Sequence, residues 1–492
     1  MGTHFGIMRF TEGDMRNFLH TIAVVSVLLS SCSQSLEEKV AQRYAGGCPI
    51  YPDYMDVTIP VNIAPLNFDY TIPEAENAVT TFTGNGMNVT FKGPHIRWDT
   101  RKWRKILSAS ANGEITVKCS SPDTSWVLHV SADEIDYGLT YRLIEPGYEL
   151  YSKMGIYQRE LSSFRQTALI ENTDVDGCIN CHSFNRCNPS DLSLHVRGDH
   201  GATLLRKDGT MDVFNTATEH TAGLCVYPYW HPSGRYIAYS TNNTRQVFHT
   251  HPDKLVEVFD LSSDMLIYDT QTGKLIDESI ICRDGYWETF PSFSPDGKTL
   301  YFCRAAAKSI PDSLTSVRYD LCAVDFDPSA GAVGDSVRTI VAASESGHSV
   351  SFPRPSFDGK YIMYTLSDYG QFSIWHHEAD LWLYDTASGE SRRLDEVNSS
   401  DTESYHNWSS TSRWFVFSSR RDDGLFTRPY FAHISENGVI GKPFLLPQKN
   451  PAHFYPNLYL SYNIPEFVTG EVKLNHVKTA RLLNSKKRTP FK

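Results

Sequence analysis

The chain has 492 residues, with 46 Lys and Arg against 57 Asp and Glu and a formal charge of −11. That charge argues against nucleic acid as a partner, and the length allows two or three domains with buried cores. Aromatic residues make up 12%, including 26 Tyr and 26 Phe, which favours strands over helices.

Residues 18–29 form a short apolar run behind Arg16, too short to span a bilayer and laid out as an export signal. Leu29-Ser30-Ser31-Cys32 follows at once and resembles a bacterial lipoprotein box. In that family the signal is cut before the cysteine, whose thiol, here that of Cys32, carries the lipid. Glu12 and Asp14 are unwelcome in a signal's first segment, so Met15 is an alternative start. Residues 1–32 are read as the signal and 33–47 as a linker. No later stretch is apolar enough to cross a membrane. The expected place is the bacterial cell envelope, lipid-anchored, with periplasmic and surface exposure both open.

Residues 48–135 carry short strand patterns at Val57–Val61, Val89–Phe91, Glu114–Val117 and Trp126–Val130, between Gly, Pro and Asn turns. They predict a small β-sandwich-like domain. The basic, aromatic stretch Arg97-Trp-Asp-Thr-Arg-Lys-Trp-Arg-Lys105 reads as a solvated edge strand ahead of a grip on an anionic or sugar ligand.

Cys178-Ile179-Asn180-Cys181-His182 is the most specific motif. Cys-x-x-Cys-His lets two thiols add to the vinyl groups of one haem and sets the imidazole under the iron as axial ligand. The plain alternative is a disulfide among Cys178, Cys181 and Cys187, with His182 a bystander. Thioether attachment happens outside the cytoplasm, in agreement with the export signal. One covalent haem c on Cys178 and Cys181, with His182 proximal, is therefore the leading expectation.

Downstream, four segments align: Tyr227–Ser240, Phe290–Cys303, Phe352–Thr365 and Tyr405–Ser418. Each reads as a short aromatic strand, a tight turn carrying Asp-Gly or Ser-Gly in three of four, and a second alternating strand. A second hairpin follows each, near Met265, Leu321, Leu381 and Tyr430. Recurrence at 63, 62 and 53 residues, two hairpins per unit, predicts the four-stranded blades of a β-propeller.

Pro291-Ser-Phe-Ser-Pro-Asp-Gly-Lys298 matches the core of the TolB-like (WD40-like) propeller repeat, which the chain resembles over about residues 180–446. The resemblance implies the fold and says little about function. The last copy departs from it, with His406 for Pro and Thr411-Ser412 for Asp-Gly. Cys181-His-Ser-Phe184 can be laid over Tyr227-Pro-Tyr-Trp230, which puts the haem motif at the start of a first blade. Residues 138–170 with Phe454–Tyr462 supply a sixth blade from both ends of the chain. The expected fold is all-β: the sandwich-like domain, then a propeller over 136–465, six blades preferred over five or seven, then a tail over 466–492.

Propeller geometry puts Cys178–His182 at the channel mouth, on the face opposite the Pro-Asp-Gly turns and together with the long loops 241–264, 304–318 and 367–379. A second axial ligand is sought on that face: His200 first, with His220 and His249 as alternatives. His231 falls on the wrong face. Enzyme signals are weak, with no Gly-x-Ser-x-Gly, no His-Glu-x-x-His and no phosphate-binding loop. Peroxidase-like chemistry would need an open iron position. The expected function is an anchored c-type haem protein in electron transfer with an unidentified redox partner. The alternative is a haem-free propeller lipoprotein that binds an envelope protein or glycan.

Overall fold

The computed structural model describes residues 48–146, 152–175, 177–199, 201–217, 221, 223–249, 255–310, 312–485 and 487–491. The signal-like run, Cys32, His200 and His220 lie outside these residues. Among those described, the strands form eight sheets, and six of them are blades. Their inner strands are Cys178–Phe184, Cys225–Trp230, Tyr286–Phe293, Ser349–Pro355, Glu403–Trp408 and Ser461–Val468. Each touches the next, and the last touches the first, so the ring is closed. The chain is an all-β protein with six blades.

Blades two to five are consecutive antiparallel meanders, as the alternating patterns and tight turns require. The turn recurs as Ser294-Pro-Asp-Gly297, where Ser294 Oγ donates to Asp296 Oδ1 (2.6 Å) and Gly297 sits at φ 73°. A Cβ at Gly297 would collide with the His231 ring, whose Nε2 donates to the Gly297 carbonyl at 3.0 Å. In blade five the turn forms without Asp-Gly. There Ser409 and Thr411 hydroxyls lie 3.0 Å apart, and Ser412 takes the left-handed conformation at φ 58°. Tryptophans suture neighbours: Trp230 Nε1 donates to the Ser183 carbonyl (3.2 Å) and Trp408 Nε1 to that of Arg354 (2.9 Å).

The sixth blade pairs Ser461–Val468 with Gly138–Ile144, followed by Gly155–Glu160 and Gln166–Glu171. Its inner strand begins later than Phe454–Tyr462 suggests, because Pro451–Phe454 and Tyr455–Asn457 are helical turns. The segment expected as a tail from 466 therefore starts inside that strand. Beyond it, the helix His476–Asn484 leads to Thr489–Pro490, a fifth strand parallel to Thr210–Asn215 of blade one.

Residues 48–135 form a five-stranded and a three-stranded sheet whose core runs on into blades five and six. Trp414 Nε1 donates to the Asp133 carbonyl (3.0 Å), and the Tyr54 hydroxyl to that of Leu445 (3.2 Å). The expected basic edge strand is instead the helix Thr100–Ala109. Asp99 caps it by accepting from Arg101 N and Lys102 N, and Trp103, Ile106 and Leu107 bury its inner face. The helical spacing becomes visible only when Ile106 and Leu107 are read with the basic stretch.

Candidate functional site at the channel mouth

Every inner strand carries a β-bulge at the same level. At it stand Cys181, Tyr227, Phe290, Phe352, Tyr405 and Ile464, with φ of 37°, 49°, 54°, 55°, 46° and 48°. Left-handed backbone costs such side chains on the order of 1 kcal/mol or more each, and is held here by the closed ring. Rings touch in succession, Tyr227–Phe290 at 4.5 Å, Phe290–Phe352 at 4.4 Å and Phe352–Tyr405 at 4.9 Å between centroids. Three of the six residues, Tyr227, Tyr405 and Ile464, line both the mouth cavity above and a void of about 20 Å³ below. The six residues thus plug the channel and give the mouth a floor.

Above the plug the cavity is about 500 Å³, within the range of small-ligand sites (~300–1,000 Å³). Cys178, Asn180 and Arg197 of blade one line it, with Arg142 of blade six. Blade two contributes Asn242, Thr244, Gln246 and Val258 from its long hairpin, Tyr236–Phe248 and Val256–Asp269. The hairpin is strapped across the ring. Glu257 accepts from the Tyr369 hydroxyl of blade four (2.6 Å), and within the hairpin Asp260 accepts from Asn242 Nδ2 (3.0 Å). Burial pushes the Asp260 carboxyl up to about 7. Below the plug, Arg354 and Glu466 line two small voids. Burial also pushes Glu466 to about 7, against the lowering by Arg354.

A haem on Cys178, Cys181 and His182 asks all three to surround one porphyrin. The ladder pairs Cys178 with Arg197, Asn180 with His195 and, past the bulge, His182 with Leu194. Arg197 and His195 share one face of their strand and Leu194 takes the other, so Cys178 and His182 lie on opposite faces of blade one. Cys178 opens on the mouth cavity, Cys181 is buried in the plug, and both thiols are free. His182 turns toward blade six. The Thr140 hydroxyl donates to the Glu466 carbonyl (3.2 Å) and accepts from His182 Nε2 (3.2 Å). Burial, helped by Arg142, lowers the imidazole to about 3, so it is neutral. His182 Nδ1 has no hydrogen-bond partner among the described residues. The three side chains do not fit one porphyrin in this register. Holding one there requires a different course of the strand between 178 and 182.

Of the second-ligand candidates, His249 is exposed at the far end of the blade-two hairpin, its backbone N donating to the Leu255 carbonyl (2.9 Å). His231 is on the turn face, held against Gly297. Sequence reasoning missed Arg142, Arg197 and His195. His195 is buried, bonded through Nδ1 to Thr203 Oγ1 at 3.2 Å, and lowered by burial to about 3. Its place in the alternating run Leu192-Ser-Leu-His-Val196 marks it as facing the neighbouring blade. Among the described residues no cluster of three His, Cys, Asp or Glu could hold a metal ion, and no helix is long and apolar enough to cross a membrane.

No protein-family model matches the chain, and no curated protein does. Among solved structures it is similar to TolB from Acinetobacter baumannii, at 13% identity and a TM-score of 0.41 over 72% of this chain and 78% of that one. It is also similar to a putative TolB from Agrobacterium tumefaciens, at 14% identity and a TM-score of 0.36 over 68% and 98%. The β-propeller domain of Cps50 (Swd1) from Myceliophteria thermophila matches at 10% and 0.31 over 63% and 88%. The six-bladed assignment rests on the sheet order and the closed ring.

Proposed function

We propose that the chain is a lipid-anchored envelope protein whose propeller binds an acidic saccharide in the mouth cavity. The blind cavity carries this reading: amide and hydroxyl side chains (Asn180, Asn242, Thr244, Gln246) suit sugar hydroxyls, and Tyr227, Tyr405 and Phe372 offer ring faces. Arg142 and Arg197 supply the charge for a carboxylate. Saturation-transfer NMR with glucuronate and glucose tests it. Glucuronate should receive the stronger transfer, and Arg197→Gln should weaken its binding about tenfold. Equal or absent transfer to the two sugars removes the reading. Anchoring predicts a lipid-sized mass increment on the exported protein, lost in Cys32→Ala.

A second reading is a single haem c on Cys178 and Cys181, transferring electrons to a redox partner. It is supported by the motif spacing and the two free thiols, and it requires the strand between 178 and 182 to take a different course. Bound there, haem would supply one-electron chemistry. Intact mass and the visible spectrum of the exported protein separate the readings, since a colourless product of unmodified thiol mass leaves the saccharide reading alone.

A further inference from the structure

We propose that the outer face of the helix Thr100–Ala109 is a membrane-docking surface that lays the N-terminal domain against anionic lipid headgroups. Arg101, Lys102, Arg104 and Lys105 are exposed on that face, opposite buried Trp103, Ile106 and Leu107. The helix carries no acidic residue, and none of the four cations has an ion-pair partner among the described residues. Arg104 alone has another contact, a 3.4 Å bond to the Ser162 carbonyl. Arg97 differs, since Asp69 compensates it. Four cations on ten residues with only the capping carboxylate of Asp99 beside them, in a chain of charge −11, form a patch that complements an anionic surface.

The position of the tether is the second observation. The described chain begins at Cys48 and enters the three-stranded sheet at Ile50–Tyr51. That strand pairs with Phe68–Tyr70, which pairs with His95–Ile96, the strand leading into the helix. The first strand is therefore only about 10 Å, two strand spacings, from the one that feeds the basic helix. The residues from Cys32 to Cys48 can span at most about 55 Å. A lipid on Cys32 would thus hold this end of the molecule near the bilayer, and the helix would meet headgroup phosphates. The inference rests on the anchoring reading for this orientation, but the charge attraction is tested without the lipid.

The test uses the full chain with Cys32→Ala, sedimented with phosphatidylcholine vesicles with and without phosphatidylglycerol. The apolar run at 18–29, with Arg16 beside it, is common to every variant, so the readout is the anionic excess that the helix substitutions remove in this background. Anionic vesicles should bind more tightly, by about fivefold per cation near the surface, and the excess should fall with salt. Arg101→Gln, Lys102→Gln, Arg104→Gln and Lys105→Gln together should abolish the excess while leaving the melting temperature unchanged. Equal binding to both vesicles, or an excess surviving in the fourfold variant, overturns the proposal. So does loss of heparin retention without loss of vesicle binding, which would assign the face to a polyanionic glycan. A wild-type chain without lipid mass would refute anchoring and leave this result standing.

Discussion

Blades one and five look unlike in sequence and are alike in structure at the level of the plug. Blades two, three, four and six carry Pro after the bulge residue, at 228, 291, 353 and 465, where the missing N–H falls at a gap in the ladder. Blade one has His182 there and blade five His406. Both imidazoles are buried, both use Nε2 toward the preceding blade (Thr140 at 3.2 Å, the Met363 carbonyl at 2.9 Å), and burial lowers both to about 3. Blade five has no cysteine pair. The repeat position thus accounts for the burial and tautomer of His182 without a metal, while the thiols at 178 and 181 are peculiar to blade one.

Blade one is also the blade clasped by the C-terminus, and the largest effect should fall there. Phe491 stacks on Tyr268 (centroids 4.5 Å apart, planes at 7°) and packs against Phe214. Phe491→Ala should cost about 3 kcal/mol in denaturant unfolding, with hydrogen exchange rising in blades one and two and not in blade five. Next, His182→Ala and His406→Ala should each cost about 2 kcal/mol, through a cavity and a lost hydrogen bond. A much larger loss at His182, accompanied by a change in visible absorbance, would break the equivalence in favour of haem.

Acid sharpens the comparison. A histidine held near 3 in the fold and near 6.5 when unfolded leaves the unfolded chain binding more protons between those values. Stability is therefore lost as pH falls through that window, by up to about 1.4 kcal/mol per pH unit per histidine. Glu466 and Asp260, raised to about 7, act in the opposite sense, so the difference between wild type and variant is the quantity to follow. His182→Pro and His406→Pro should lessen the acid sensitivity equally. At neutral pH these should be smaller changes than the alanine variants, because proline already occupies this place in four blades and refills part of the space the imidazole leaves.

The propeller was legible because each blade repeats its chemistry along the chain: aromatic, turn, alternating strand. Overlaying Cys181 on Tyr227 aligned blade one with the others, and the connection pattern located the mouth, where Cys178 meets the blade-two hairpin. The bulge itself was not legible. One extra residue inverts the alternation, so Cys178 and His182, which the motif reads as partners, part to opposite faces. Arg142 was hidden for another reason: its role comes from a strand paired with Ser461–Val468, far along the chain. The basic helix was concealed by a window that ended at Lys105, one residue before its apolar spacing declared itself.

The pairing of Gly138–Ile144 with Ser461–Val468 sets an order of events. As the chain is made the amino-terminal part emerges first, and five blades can assemble while the sixth still shows a bare, hydrogen-bonding edge. Only when residues 461–468 have been made can that edge be covered. A chain broken off before residue 461 would keep it, with the hazard of adding strands from other molecules.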